Sequence, residues 1–121
     1  GVVHHTHFLV WFEIGRTELM RDLGCAYADM EKEGVWMPVV EAGCRYLHPA
    51  RYDDLITVET RIEEVTRATV RFTYSVSRSS DARLLATGAT RHAATDDRGI
   101  PCRLPERIVA RLSAQGPEVV A

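Results

Sequence analysis

Over residues 6–23 the apolar side chains Phe8, Phe12, Leu19 and Leu23 recur at helical spacing, with Gly15 in the same row and Trp11 and Ile14 widening the face. The pattern predicts one long, mostly buried helix, capped by Thr6, with Arg21 in its last turn and Gly24 as its stop. A mid-helix glycine costs about 1 kcal/mol relative to alanine. Close approach of another segment offsets that cost, so a sheet is expected to pack on the Gly15 notch. A second, shorter helix is predicted over 26–33, closed by Gly34.

After Gly34 the period changes to two. Val40, Ala42, Cys44 and Tyr46 alternate with Val39, Glu41, Gly43, Arg45 and Leu47, and Pro49 ends this strand. Ile56, Val58, Thr60 and Ile62 share a face of a second strand, and Val70, Phe72, Tyr74 and Val76 mark a third. A hairpin turn at 79–82 leads into a fourth over 84–95, which the turn Asp96-Asp97-Arg98-Gly99 stops. Ile108, Val109 and Leu112 suggest a short amphipathic C-terminal helix. One long helix followed by four meander-like strands predicts an α+β layer in which a sheet covers the helix on one side. Such a sheet leaves edges and part of a face open, and symmetric pairing is the usual remedy, so at least a dimer is expected.

Composition narrows the function classes. The 121 residues, 45% hydrophobic and 26% charged, suit one globular domain with no low-complexity run. A net charge of -2 provides no basic field for nucleic acid or anionic lipid, so a small-molecule partner is expected. The longest apolar stretches, such as 8–12, fall far below the roughly 20 residues of a membrane helix, and no signal-peptide pattern leads the chain. Cys25, Cys44 and Cys102 are odd in number and widely spaced, which fits a reducing, cytoplasmic setting better than a disulfide framework or a zinc site.

The opening Gly1-Val2-Val3-His4-His5-Thr6-His7-Phe8-Leu9-Val10-Trp11-Phe12-Glu13-Ile14-Gly15-Arg16 resembles the start of the central helix in the hotdog-fold 4-hydroxybenzoyl-CoA thioesterase family, in its Tol-Pal-associated thioesterase-like branch. Pro49-Ala50-Arg51-Tyr52-Asp53-Asp54 resembles that family's loop before a strand. Ala86-Thr87-Gly88-Ala89-Thr90-Arg91-His92 and Asp96-Asp97-Arg98-Gly99-Ile100-Pro101 resemble its last strand and exit turn. The likeness implies one hotdog domain over 1–121, a long central helix wrapped by an antiparallel sheet. It also implies hydrolysis of acyl-CoA to free acid and CoA, without metal or redox cofactor, at sites formed across the interface of a homodimer or homotetramer. The family's catalytic Asp stands three residues before the motif glycine, which here is Gly1. That carboxylate and the family's first strand are therefore expected upstream, in a protein of which this chain is an N-terminally truncated form.

Thioester hydrolysis needs a base or nucleophile and donors for the developing oxyanion, and unpaired N–H groups at a helix start can supply the donors. The resemblance puts His5 there, its N–H polarising the carbonyl and its ring positioning acyl group or water. His4, His5 and His7 could also be read as metal ligands, but neighbours at a helix entrance rarely converge on one ion. Glu13 is a candidate general base, against the commoner role of pairing with Arg16. Phe8, Phe12 and Trp11 read as core first and acyl-pocket lining second. Arg51, Arg91 and Arg103 are candidates for CoA phosphates, each against a solvated surface charge. The likeness adds Tyr52 and His92 as substrate contacts, and Asp53 and Asp54 read as turn residues. Cys44 alternates with apolar neighbours and is expected to be buried and inert. Two other functions compete: a non-catalytic acyl-CoA or acyl-carrier binding module, and a hotdog dehydratase, whose His-Phe-Pro-Gly type of motif is missing here.

Overall fold

The computed structural model describes residues 6–114 and 119–120, and in it helix α1 runs Thr6–Asp22 with Phe8, Phe12, Leu19 and Met20 buried along one face. The stripe is narrower than expected. Ile14 is 54% exposed, so it belongs to the solvent side, while Met20, not anticipated, is fully buried. Thr6 is the first described residue of the helix. At the other end Gly24, at φ 74°, donates to Arg21 O (3.0 Å), and Cys25 N reaches back to Met20 O (2.8 Å). These two bonds satisfy carbonyls that would otherwise be orphaned, and the left-handed backbone at Gly24 is what allows them.

Helix α2 (Tyr27–Lys32) follows directly, burying Met30. Strands β1 (Val39–Tyr46), β2 (Ile56–Val65), β3 (Thr69–Arg78) and β4 (Arg83–Ala93) come next, then helix α3 (Glu106–Ser113) and a two-residue β5 (Val119–Val120). They form one antiparallel sheet in the order β1-β4-β3-β2-β5. The hairpins β2–β3 and β3–β4 are consecutive, but β1 crosses to the far edge and pairs with β4, so the expected meander is corrected. Alternation along β1 specifies which residues share a face and carries no information about the neighbouring strand.

The inner face of the sheet holds Ile62, Val70, Phe72, Tyr74, Val76 and Ala86, and α1 lies against it, packing chiefly on β2 and β3. The Gly15 notch is where it settles: a β-carbon at Gly15 would collide with Thr60 Oγ1 and come within 3.1 Å of Val58 Cγ1. Gly88 plays the same part from the sheet side, since a β-carbon there would strike the Phe12 ring and lie 2.8 Å from Gly43 O. Helix α3 closes the bottom of the core with Ile108 and Leu112, and Arg111 Nη1 donates to Leu23 O and Gly24 O at 3.3 Å, tying it to the end of α1.

Candidate functional site

Aromatic side chains gather where the first turns of α1 meet β1 and the segment 47–55. Phe8 packs edge-on between Trp11 (ring centres 4.9 Å) and Tyr46 (5.2 Å), and His7 stands edge-on to Tyr52 at 6.2 Å. Phe12 stacks on Tyr74 at 4.4 Å. Phe8 and Phe12 are therefore core residues, buried to 3% and 0% exposure, while Tyr52 is open to solvent. The structure thus brings Tyr52 to the start of α1, the place that the opening motif marks. His5, like His4, lies outside the described residues.

The segment that carries Tyr52 is braced by Asp54. Its Oδ2 accepts from Arg51 N (2.9 Å) and from Arg78 Nε (3.2 Å), and Asp54 N donates to Arg51 O (3.0 Å). The Arg51 N–H, with Arg78 beside it, holds the Asp54 carboxyl below the usual carboxylate range. Asp54 is thus a turn residue. The arginines considered for phosphate stand on separate elements. Arg51 is exposed in this segment, Arg91 pairs with Glu41 (3.4 Å) on the outer side of the sheet, and Arg103 lies beside Arg67 and Glu106 near α3.

Glu13 faces a different place. With Arg16, Tyr27, Trp36, Met37 and Asp97 it lines a cavity of about 470 Å3 between α1, α2 and the turn 96–99. The turn is braced by hydrogen bonds: Asp96 Oδ1 accepts from Arg98 N (2.8 Å) and Ile100 N (3.0 Å), and Trp36 and Thr95 exchange backbone bonds of 2.8 and 2.9 Å. Glu13 is 66% exposed and 4.0 Å from Arg16, whose side chain is 11% exposed. The pairing role weighed for Glu13 is present, though loose.

His92, expected as a substrate contact, is buried within the sheet's inner face. It is 1% exposed; Nδ1 lies 3.0 Å from Met37 O and Nε2 2.9 Å from Thr90 Oγ1, which in turn meets Tyr74 OH at 2.5 Å. The His92 ring is held below its ordinary pKa mainly by burial. Cys44 is half-buried where full burial had been expected, since it lies on the edge strand β1; partial burial still pushes its thiol up. Sequence reasoning missed Tyr27, Tyr74 and Thr90 as a polar seam. The available signal was hydroxyl-bearing side chains in otherwise apolar, buried rows, each of which must find a partner or leave an orphan.

Three comparisons bear on this arrangement. A family profile described as the thioesterase superfamily matches residues 1–85. The acyl-CoA thioesterase YbgC of Haemophilus influenzae is 33% identical over 113 residues, covering 91% of this chain and 81% of its own. YneP of Bacillus subtilis is 48% identical over 64 residues, which are 53% of this chain; the match spans about half of that relative, 46%. The crystal structure of TT1821 from Thermus thermophilus superimposes with a TM-score of 0.89 at 36% identity, over 98% of this chain and 87% of that one.

Proposed function

The chain belongs to the thioesterase superfamily, and from that premise we propose that it is an acyl-CoA thioesterase subunit that hydrolyses the thioester to free acid and CoA. The observation that carries this reading is the match through the helix-start motif, residues 1–85, on a fold where that helix lies across an antiparallel sheet with its first turns beside an open edge. The unpaired N–H groups of that helix end would polarise the thioester carbonyl, with His5 among them, and the base or nucleophile would be the carboxylate that the motif places three residues before Gly1. Phe8 and Phe12 would support the acyl group from beneath, with Tyr52 and Arg51 at the entrance. Glu13 faces the α1–α2 cavity, which favours its pairing role over general base. Within the superfamily we assign the chain to the Tol-Pal-associated branch of the 4-hydroxybenzoyl-CoA thioesterase family on the motif.

The same reading takes 1–121 as one hotdog domain acting as a homo-oligomer. The support is β1, an edge strand with one neighbour, β4, and exposed side chains on both faces. A second copy would extend the sheet there and complete the site. Three free cysteines favour a cytoplasmic setting.

Thiol release from a panel of acyl-CoAs tests the proposal, using the product of the complete gene, its Asp→Asn variant at the motif position, and this 121-residue chain. Hydrolysis by the first that collapses in the other two is the expected result. Saturable acyl-CoA binding by all three without turnover would replace the enzyme with the binding module.

A further inference from the structure

The guanidinium of Arg78, at the end of β3, holds three pieces of chain at once. Its Nε donates to Asp54 Oδ2 (3.2 Å), its Nη1 to Asp81 Oδ2 (3.1 Å) and its Nη2 to Pro49 O (3.3 Å). Asp81 belongs to the β3–β4 turn, where its Oδ1 also accepts from Arg83 N (3.1 Å), while Pro49 and Asp54 stand on either side of Tyr52 in the segment 47–55. The Arg78 and Asp54 side chains are 22% and 17% exposed, so the pair is screened less than an open surface pair. The Asp54 and Asp81 carboxyls both lie below the usual range, held there first by the N–H groups of Arg51 and Arg83 and then by Arg78. A planar fork with five donors can serve three acceptors in different directions, whereas a lysine ammonium is a point charge.

The ends of the segment are fixed by backbone bonds, Leu47 N and His48 N to Leu85 O (2.9 and 3.1 Å) and Ser79 N to Leu55 O (2.8 Å). Between those ends Ala50 is buried and Asp54 closes on Arg51, yet Tyr52 itself is 64% exposed, its ring edge-on to His7 at the start of α1. Arg78 ties the residues flanking that ring to the sheet. We propose that Arg78 is a positioning residue for substrate: it sets Tyr52 beside the start of α1, and through Tyr52 it sets the fit of acyl-CoA at the mouth of the site. The inference rests on the proposed function in taking acyl-CoA as the ligand. All three guanidinium nitrogens are engaged by the protein, so Arg78 acts through Tyr52 and not by touching a phosphate. A residue at the mouth grips the ground state and the transition state alike, so its loss raises KM and spares kcat.

A double-mutant cycle on the complete gene product tests this, with Kd for a non-hydrolysable acyl-CoA thioether read by calorimetry beside KM and kcat for the matching acyl-CoA. Arg78→Gln is expected to raise Kd and KM about tenfold, and Tyr52→Ala by a similar factor, with kcat within about twofold of the parent. In the Tyr52→Ala background Arg78→Gln should add less than about twofold, since its effect passes through the ring already removed. Arg78→Lys, which keeps the charge and loses the fork, should weaken binding about threefold, and it carries the same cycle should Arg78→Gln fail to fold. Unchanged Kd and KM in a folded Arg78 variant, or losses that multiply in the double variant, would overturn the proposal and leave Arg78 as a brace of the turn alone. A full cycle in Kd from a protein that never turns acyl-CoA over would sink the proposed function while the positioning role stands. No binding of the thioether by the parent would overturn both.

Discussion

Strands β3 and β1 carry similar alternating patterns and meet different fates. In β3 the residues Val70, Phe72, Tyr74 and Val76 are all exposed by 3% or less, whereas in β1 Val40 and Tyr46 are 53% and 46% exposed. The difference lies in what covers them. β3 is central, flanked by β2 and β4 and roofed by α1, while β1 hangs on β4 alone at the sheet edge and meets only the first turns of the helix, through Phe8 and Tyr46. Periodicity reports that residues share a face, and only the three-dimensional neighbour decides whether that face is core.

The sharpest break of the comparison is a cavity in the covered strand. Phe72→Ala should cost about 3–5 kcal/mol in denaturant unfolding, because its neighbours Ile62, Tyr74 and His92 cannot fully collapse. Gly88, which pairs with Cys44 of β1 and Tyr74 of β3, sits between the two regimes. Gly88→Ala should cost about 1–3 kcal/mol, since the new methyl meets both the Phe12 ring and the Gly43 carbonyl.

The polar seam beneath α1 adds a pH dependence. Burial lowers the His92 pKa from an ordinary 6.5, so the folded chain takes up a proton less readily than the unfolded one. Stability from this residue is fully present above pH 6.5 and declines as pH falls below it towards the folded value. His92→Gln should flatten the stability profile in that acid window while leaving the slope above pH 7 unchanged, as read by urea midpoints across a pH series. On the open strand the expected order reverses: Val40→Lys should move protomer stability by no more than about 0.5 kcal/mol, yet weaken self-association about tenfold or more in sedimentation equilibrium. Least of all, Arg91→Ala, which removes the exposed pair with Glu41, should change stability by about 0.5 kcal/mol or less.

Much of the fold was legible in the chain. The helix with its Gly15 notch, the buried row Val70 to Val76, the hairpin at 79–82 and the Asp96–Gly99 turn depend on local period and turn chemistry, which short stretches of sequence contain. The placement of β1 beside β4, the exposure of Ile14 and the depth of His92 depend on contacts far apart in sequence, and alternation is blind to them. The site divides in the same way. The opening motif identifies the helix start from consecutive residues, and Tyr52 arrives there through a loop whose Asp54 brace is also local. The Arg16–Tyr27–Trp36 cavity joins three segments and has no signature in any one of them.

The central claim is thioester hydrolysis at a site completed by a second copy along β1, and a dilution series tests it most directly. Specific acyl-CoA hydrolysis by the complete gene product would be followed by thiol release in parallel with sedimentation at each concentration. The account requires activity that falls as the oligomer dissociates, with Val40→Lys shifting both curves together. Undiminished turnover by a species that sediments as a single chain, or the absence of turnover at every concentration, would contradict it.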